Sequence, residues 1–187
     1  LTDAGGGSAI LDHLFLSLQL LEERLGRRVL ILLTDGWDHH SSLTVEQLRR
    51  VSRRSQAMVY WVRLGTGGSG SRDPTRSSHA WVSGSGEASY SLTAIPLSVW
   101  RDREGKRRVA EALEAVVEES GGRIVPVATL GAIEAAFGEI LAELREQIAV
   151  GYYPDPRRND GSWRVVKVKV KGRGLDVRTR KGYVDRD

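Results

Sequence analysis

The chain has 187 residues, 40% of them hydrophobic and 28% charged, the composition of one globular domain with a sizeable core. It contains no cysteine, which excludes disulfides, thiolate metal sites and cysteine nucleophiles. Its apolar stretches fall well short of the roughly 20 residues that a membrane-spanning helix needs, so no membrane span is expected.

Near the start, Gly5-Gly6-Gly7-Ser8 leads into a predicted helix with apolar residues at Ile10, Leu11, Leu14, Phe15, Leu18, Leu21 and Leu25, close to helical spacing. Ser8 stands where a helix cap would stand. Next comes an unbroken apolar run, Val29 to Leu33, that stops on Thr34-Asp35-Gly36-Trp37-Asp38. Such a run predicts a strand buried on both faces, inside a parallel sheet between helix layers. Asp35 and Asp38 then lie at the carboxyl edge, where open α/β sheets hold their ligands. Asp35 has a plainer use as well, shaping the turn with Gly36.

Thr44-x-x-Gln47 has the form of a capping box and opens a predicted helix through Arg54, followed by a strand over Ala57 to Leu64. Gly65 to Arg103 is rich in Gly and Ser, with scattered Trp81, Tyr90 and Trp100, and is long for a passive connection. It is expected to be a variable lid or a disordered insertion, over about 65–105. A helix from about Lys106 to Ser120, stopped by Gly121-Gly122, precedes a strand Arg123 to Val127 and a helix from about Ala132 to Ile148. Strands alternating with helices point to parallel pairing.

The tail differs in kind. Val166, Val168 and Val170 alternate with Lys167, Lys169 and Lys171, and Leu175, Val177 and Thr179 continue the period of two, with Gly172-Arg173-Gly174 as the turn of a predicted hairpin. From Arg157 to Asp187 there are eleven Lys or Arg against four Asp or Glu, leaving seventeen against twenty for the rest. The basicity is therefore local, and Lys167, Lys169, Lys171, Arg178 and Arg180 are the residues that would meet a polyanion. Lysines that blunt an open strand edge explain the same pattern, and nucleic acid is not the expected partner.

Other motifs are weaker. Asp35, Asp38, His39 and His40 contain ligand types suited to Zn²⁺ or Fe²⁺, but adjacent histidines in an extended segment point to opposite sides, and surface polarity accounts for them. Asp12-His13 fits the polar face of a helix. Gly5-Gly6-Gly7 lacks the spacing and the lysine of a phosphate-binding loop. No nucleophile elbow or zinc-protease helix occurs, so a binding module is expected and not an enzyme. Tyr152, Tyr153, Trp163 and Tyr183 are expected to pack across strands rather than stack on a ligand.

A glycine-rich turn into a helix, followed by a strand ending Thr34-Asp35-Gly36-x-Asp38, resembles the von Willebrand factor A domain. A second resemblance lies at Gly151-Tyr152-Tyr153-Pro154 and Arg180-Lys181-Gly182-Tyr183, which are similar to the tail of the bacterial VWFA-related subfamily best known from Acidobacteria. The resemblance covers most of the chain except about Thr66 to Arg103. It implies a Rossmann-like, mostly parallel sheet flanked by helices over 1–148, with a β-hairpin extension over 149–187. The family's Asp-x-Ser-x-Ser loop and first strands do not occur in this sequence, which is the pattern of an N-terminally incomplete domain.

By the same resemblance, Ser8 and Asp35 would ligate Mg²⁺, or Mn²⁺ or Ca²⁺, with Asp38 orienting water in the outer shell. The metal's open position would take a carboxylate from a protein partner. A secreted or cell-envelope setting in bacteria also follows from the resemblance alone. The alternative is a module for assembly, through an exposed sheet edge and homo-oligomer contacts, or for polyanions, through the basic hairpin.

Overall fold

The computed structural model describes residues 8–65, 97–156, 159–172 and 177–185. Helix α1, Ile10–Glu22, buries Ile10, Leu11, Leu14 and Leu18, a stripe at the spacing that brings side chains to one face. Leu25, expected to belong to that stripe, lies beyond the helix and is 99% exposed. Gly26, at φ +87°, turns the chain into strand β1, Val29–Thr34.

Helix α2, Val45–Arg54, starts in the predicted capping box: Gln47 N–H donates to the Thr44 hydroxyl at 3.3 Å, and Thr44 N–H donates to the Gln47 side chain at 2.8 Å. Strand β2, Met58–Leu64, follows. Helix α3, Leu97–Ser120, begins well before Lys106, so residues 97–105 of the expected insertion are helical, while 66–96 lie outside the described residues. Strand β3, Ile124–Val127, and a short 3₁₀ turn, Leu130–Ala132, lead to helix α4, Ile133–Glu146.

Among the described residues the three strands form a parallel sheet in the order β1-β2-β3. Val29 pairs with Met58 and Thr34 with Arg63, while Trp61 pairs with Ile124 and Leu64 with Val127. Helices α1, α2 and α3 pack their apolar sides with Leu30, Leu32, Val59 and Trp61 on one face; α4 packs with Val29, Ile31, Tyr60 and Val62 on the other. The chain is therefore α/β, a parallel sheet flanked by helices. The burial expected for β1 belongs to β2, where Val59, Tyr60, Trp61 and Val62 are buried. Among the described residues β1 lies at one edge of the sheet: most of it is half-buried and Leu33 is 44% exposed. An apolar run reports helices on both faces, not a strand on both sides.

The tail forms a short antiparallel pair, β4, Trp163–Val165, with β5, Gly182–Val184. The hairpin was expected to run from Trp163 to Lys171 and, through Gly172-Arg173-Gly174, back along Leu175 to Thr179. Among the described residues β4 pairs instead with β5, Val166 N–H donates to Lys181 C=O at 2.8 Å, and 173–176 lie outside the described residues. Val168, Val170 and Val177 are exposed, as are Lys167, Lys169 and Lys171, so neither side of the alternation has a core to meet. Where the tail does pack, it packs at the amino end of the sheet. Lys181 N–H donates to Glu119 C=O at 3.1 Å, and Arg180 donates to the carbonyls of Arg53 (3.0 Å) and Ser55 (2.5 Å) at the end of α2. No described helix is long and apolar enough to cross a membrane.

Candidate functional site

The carboxyl end of β1 is a turn held from beneath. Asp35 accepts the Trp37 N–H at 3.0 Å and Thr34 Oγ1 accepts the Gly36 N–H at 3.2 Å, so two successive side chains satisfy the backbone that leaves the strand. Gly36 sits at φ +86°, and a Cβ there would stand 2.8 Å from the Trp61 ring. The Trp61 indole donates to Thr34 C=O at 3.0 Å. Trp61 is the buried floor under Thr34 and Gly36, and sequence reading did not single it out.

The following loop is tied to the start of α1 in both directions. Asp38 Oδ1 accepts the Ile10 N–H and the Ser41 hydroxyl, each at 2.6 Å. Ser41 Oγ accepts the Leu11 and Asp12 amides at 3.0 and 3.3 Å. These are amides that a helix start leaves without partners inside the helix. In return Asp12 accepts the Ser42 and Leu43 N–H groups at 3.0 and 2.9 Å. Those amides, Ser42's first, hold the Asp12 carboxyl below its ordinary pKa.

Ser8 does not cap α1. The N-cap is Ala9, with no side-chain cap bond, because Asp38 and Ser41 satisfy the first amides from across the fold. Ser8 nevertheless sits against the Asp35 loop, its carbonyl accepting the N–H groups of His39 (2.8 Å) and His40 (3.3 Å). Asp38, expected to order water around a metal, holds the Ile10 amide and the Ser41 hydroxyl on its Oδ1. His13 Nδ1 lies 2.7 Å from Ala9 C=O, a local helix contact. Trp37, His39 and His40 are left on the surface, their rings 6.3 Å apart in succession.

The donor set does not fit a divalent cation by itself. Among the described residues there is no group of three or more His, Asp or Glu that could hold a metal. Ser8 and Asp35 are two donors, whereas Mg²⁺ demands a near-octahedral shell of about six oxygens.

The basic residues of the tail divide. Lys167, Lys169 and Lys171 are exposed. Arg178 instead donates to Gly121 C=O at 3.1 Å and pairs with Glu143, which also accepts the Tyr60 hydroxyl and is 2.8 Å from Arg123 Nε. Burial, then the Glu143 hydrogen bond, pushes the Tyr60 phenol up to about 12. Arg180 reaches the α2 carbonyls, and burial and the nearby charge of Arg28 lower its pKa against the pull of Glu119. Arg180 is thus turned toward the protein, whereas Arg178, though paired, remains exposed. Of the aromatic residues, Tyr152 meets Tyr183 edge-on at 6.1 Å and the Arg53 guanidinium lies 4.8 Å over Trp163. The chain matches no family model, no curated protein and no solved structure.

Proposed function

We propose that the chain is a non-enzymatic protein-binding module of the von Willebrand A type, of the bacterial VWFA-related kind, with its working surface at the carboxyl edge of the sheet. The observation that carries this reading is the two-way tie between the Asp35–Leu43 loop and the start of α1. It brings Ser8 and the loop after Asp35 to one corner and fixes that corner before any partner arrives, which lowers the ordering cost of binding. The loop also leaves Asp35, Trp37, His39 and His40 exposed.

In this reading the partner offers an acidic side chain. Because Ser8 and Asp35 fall short of a full shell, Mg²⁺, Mn²⁺ or Ca²⁺ would need further oxygens from water and the partner. The chain alone is expected to hold such an ion weakly. The test is an amide-resolved NMR titration with Mg²⁺ and a short glutamate-containing peptide. Shifts over Gly36 to His40 that vanish in Asp35→Ala are expected. Shifts confined to Lys167–Lys171 would replace the reading with a polyanion-binding one, and an undisturbed corner would overturn it.

A further inference from the structure

We infer that His39 and His40 form a two-imidazole site for a late transition-metal ion such as Zn²⁺, which takes the partner's carboxylate as a further ligand. Adjacent histidines were expected to point to opposite sides, as they do in an extended segment. The structure corrects that expectation. The chain bends at His39 and His40, and both of their N–H groups donate to one acceptor, Ser8 C=O, at 2.8 and 3.3 Å. Successive amides of an extended chain face opposite ways and do not share an acceptor. The bend brings the two rings to 6.3 Å, centroid to centroid.

That spacing is within reach of one ion. A zinc–imidazole bond of about 2.0–2.1 Å, with about 1.1 Å from the nitrogen to the ring centre, puts each centroid about 3.2 Å from the metal. Two rings on one ion then stand about 5.2 Å apart at the tetrahedral angle and at most about 6.4 Å apart when opposed. Both side chains are exposed, so rotamer changes turn a nitrogen of each toward the ion and close the remaining gap, while the backbone stays anchored on Ser8.

Donor chemistry selects the ion. Imidazole nitrogens suit Zn²⁺, Cu²⁺ or Ni²⁺, whereas Mg²⁺ and Ca²⁺ take oxygen. Among the described residues no third His, Asp or Glu completes a metal-binding group with the pair. Asp35 keeps its bond to the Trp37 N–H and stays exposed. Zn²⁺ takes four ligands, so two positions stay open, one for water and one for an incoming carboxylate. The carboxylate step rests on the reading of this corner as a surface for an acidic partner; the metal step does not.

Titration calorimetry of the full chain with Zn²⁺ at neutral pH tests the inference, first alone and then with a short glutamate-containing peptide. The expected result is saturable Zn²⁺ binding that needs both histidines, and peptide binding that strengthens when Zn²⁺ is present and is lost when glutamine replaces the peptide's glutamate. Loss of an outer-sphere partner already costs metal sites about 10–100-fold in affinity, so His39→Ala or His40→Ala should cost at least as much. His13→Ala removes only a local helix contact and should leave Zn²⁺ binding unchanged. No Zn²⁺ binding, or binding that survives both His39→Ala and His40→Ala, would overturn the inference while leaving the corner's reading as a protein-binding surface intact. Zn²⁺ held by the pair without any gain in peptide binding would overturn the shared carboxylate and count against that reading too.

Discussion

Replacing Gly36 by Ala isolates what holds the Asp35 turn in place. The first cost is the backbone: φ is +86°, where a Cβ crowds the following carbonyl at about 1–2 kcal/mol. The second is contact: the new Cβ would stand 2.8 Å from the Trp61 ring, and overfilling a packed site costs about 1–3 kcal/mol. The sum is about 2–5 kcal/mol. Gly26 is an internal control, since it has φ +87° but nothing within 4 Å, so Gly26→Ala should lose only the backbone part. Urea unfolding of both variants measures the difference, which with a slope of about 1–3 kcal/mol per molar appears directly in the midpoint. In a Trp61→Phe background the contact is relieved, and Gly36→Ala should fall to the cost of Gly26→Ala. Equal costs in the natural background would refute the view that Trp61 is the floor of the turn.

Asp38→Ala should destabilise by about 1–2 kcal/mol through the lost Ile10 and Ser41 bonds, and a double-mutant cycle with Asp12→Ala should show non-additivity, because both act on one loop–helix tie. Glu119 is half-buried, which raises its pKa, but Arg53 and Arg49 outweigh burial and leave it lowered from 4.5. Its contribution is therefore present above pH 4.5 and lost as pH falls below that value. Glu119→Gln should flatten stability over that acid range in pH-dependent unfolding. Tyr60 has the opposite sign: its folded pKa is raised from 10.0 to about 12, so its contribution is complete below pH 10 and lost toward pH 12. Tyr60→Phe should reduce that alkaline loss, measured by unfolding across the range, and in the natural chain the Tyr60 phenol should ionise only as the fold opens in ultraviolet titration.

The alternation of strands and helices was legible because each buried face follows its own period, and the Thr44-Gln47 box is local enough to be seen in four residues. The start of α3 at Leu97 was not legible, since Gly- and Ser-rich sequence obscures where a helix begins. The rank of β1 in the sheet was hidden too, because apolar residues record helices above and below, while edge position depends on which backbone groups find a neighbour. The candidate site was legible only in part. Asp35 announced itself by ending the apolar run. Asp12, Ser41 and Trp61 act through partners about thirty residues away or across the sheet, and only the acidic residue in a helix's first turn left a local trace. Arg180 looked like one more surface cation because nothing nearby in sequence shows that it points inward.

Arg180's grip on Arg53 and Ser55 also sets an order of events during synthesis. The bonds span 127 and 125 residues, so the carbonyls at the end of α2 are matched only after Arg180 has emerged. At about 5–20 residues per second the ribosome exposes that end for several seconds without its partner. A release factor that acts before Arg180 would leave a product with intact strands and helices and no clasp, the form that quality-control proteases would find first.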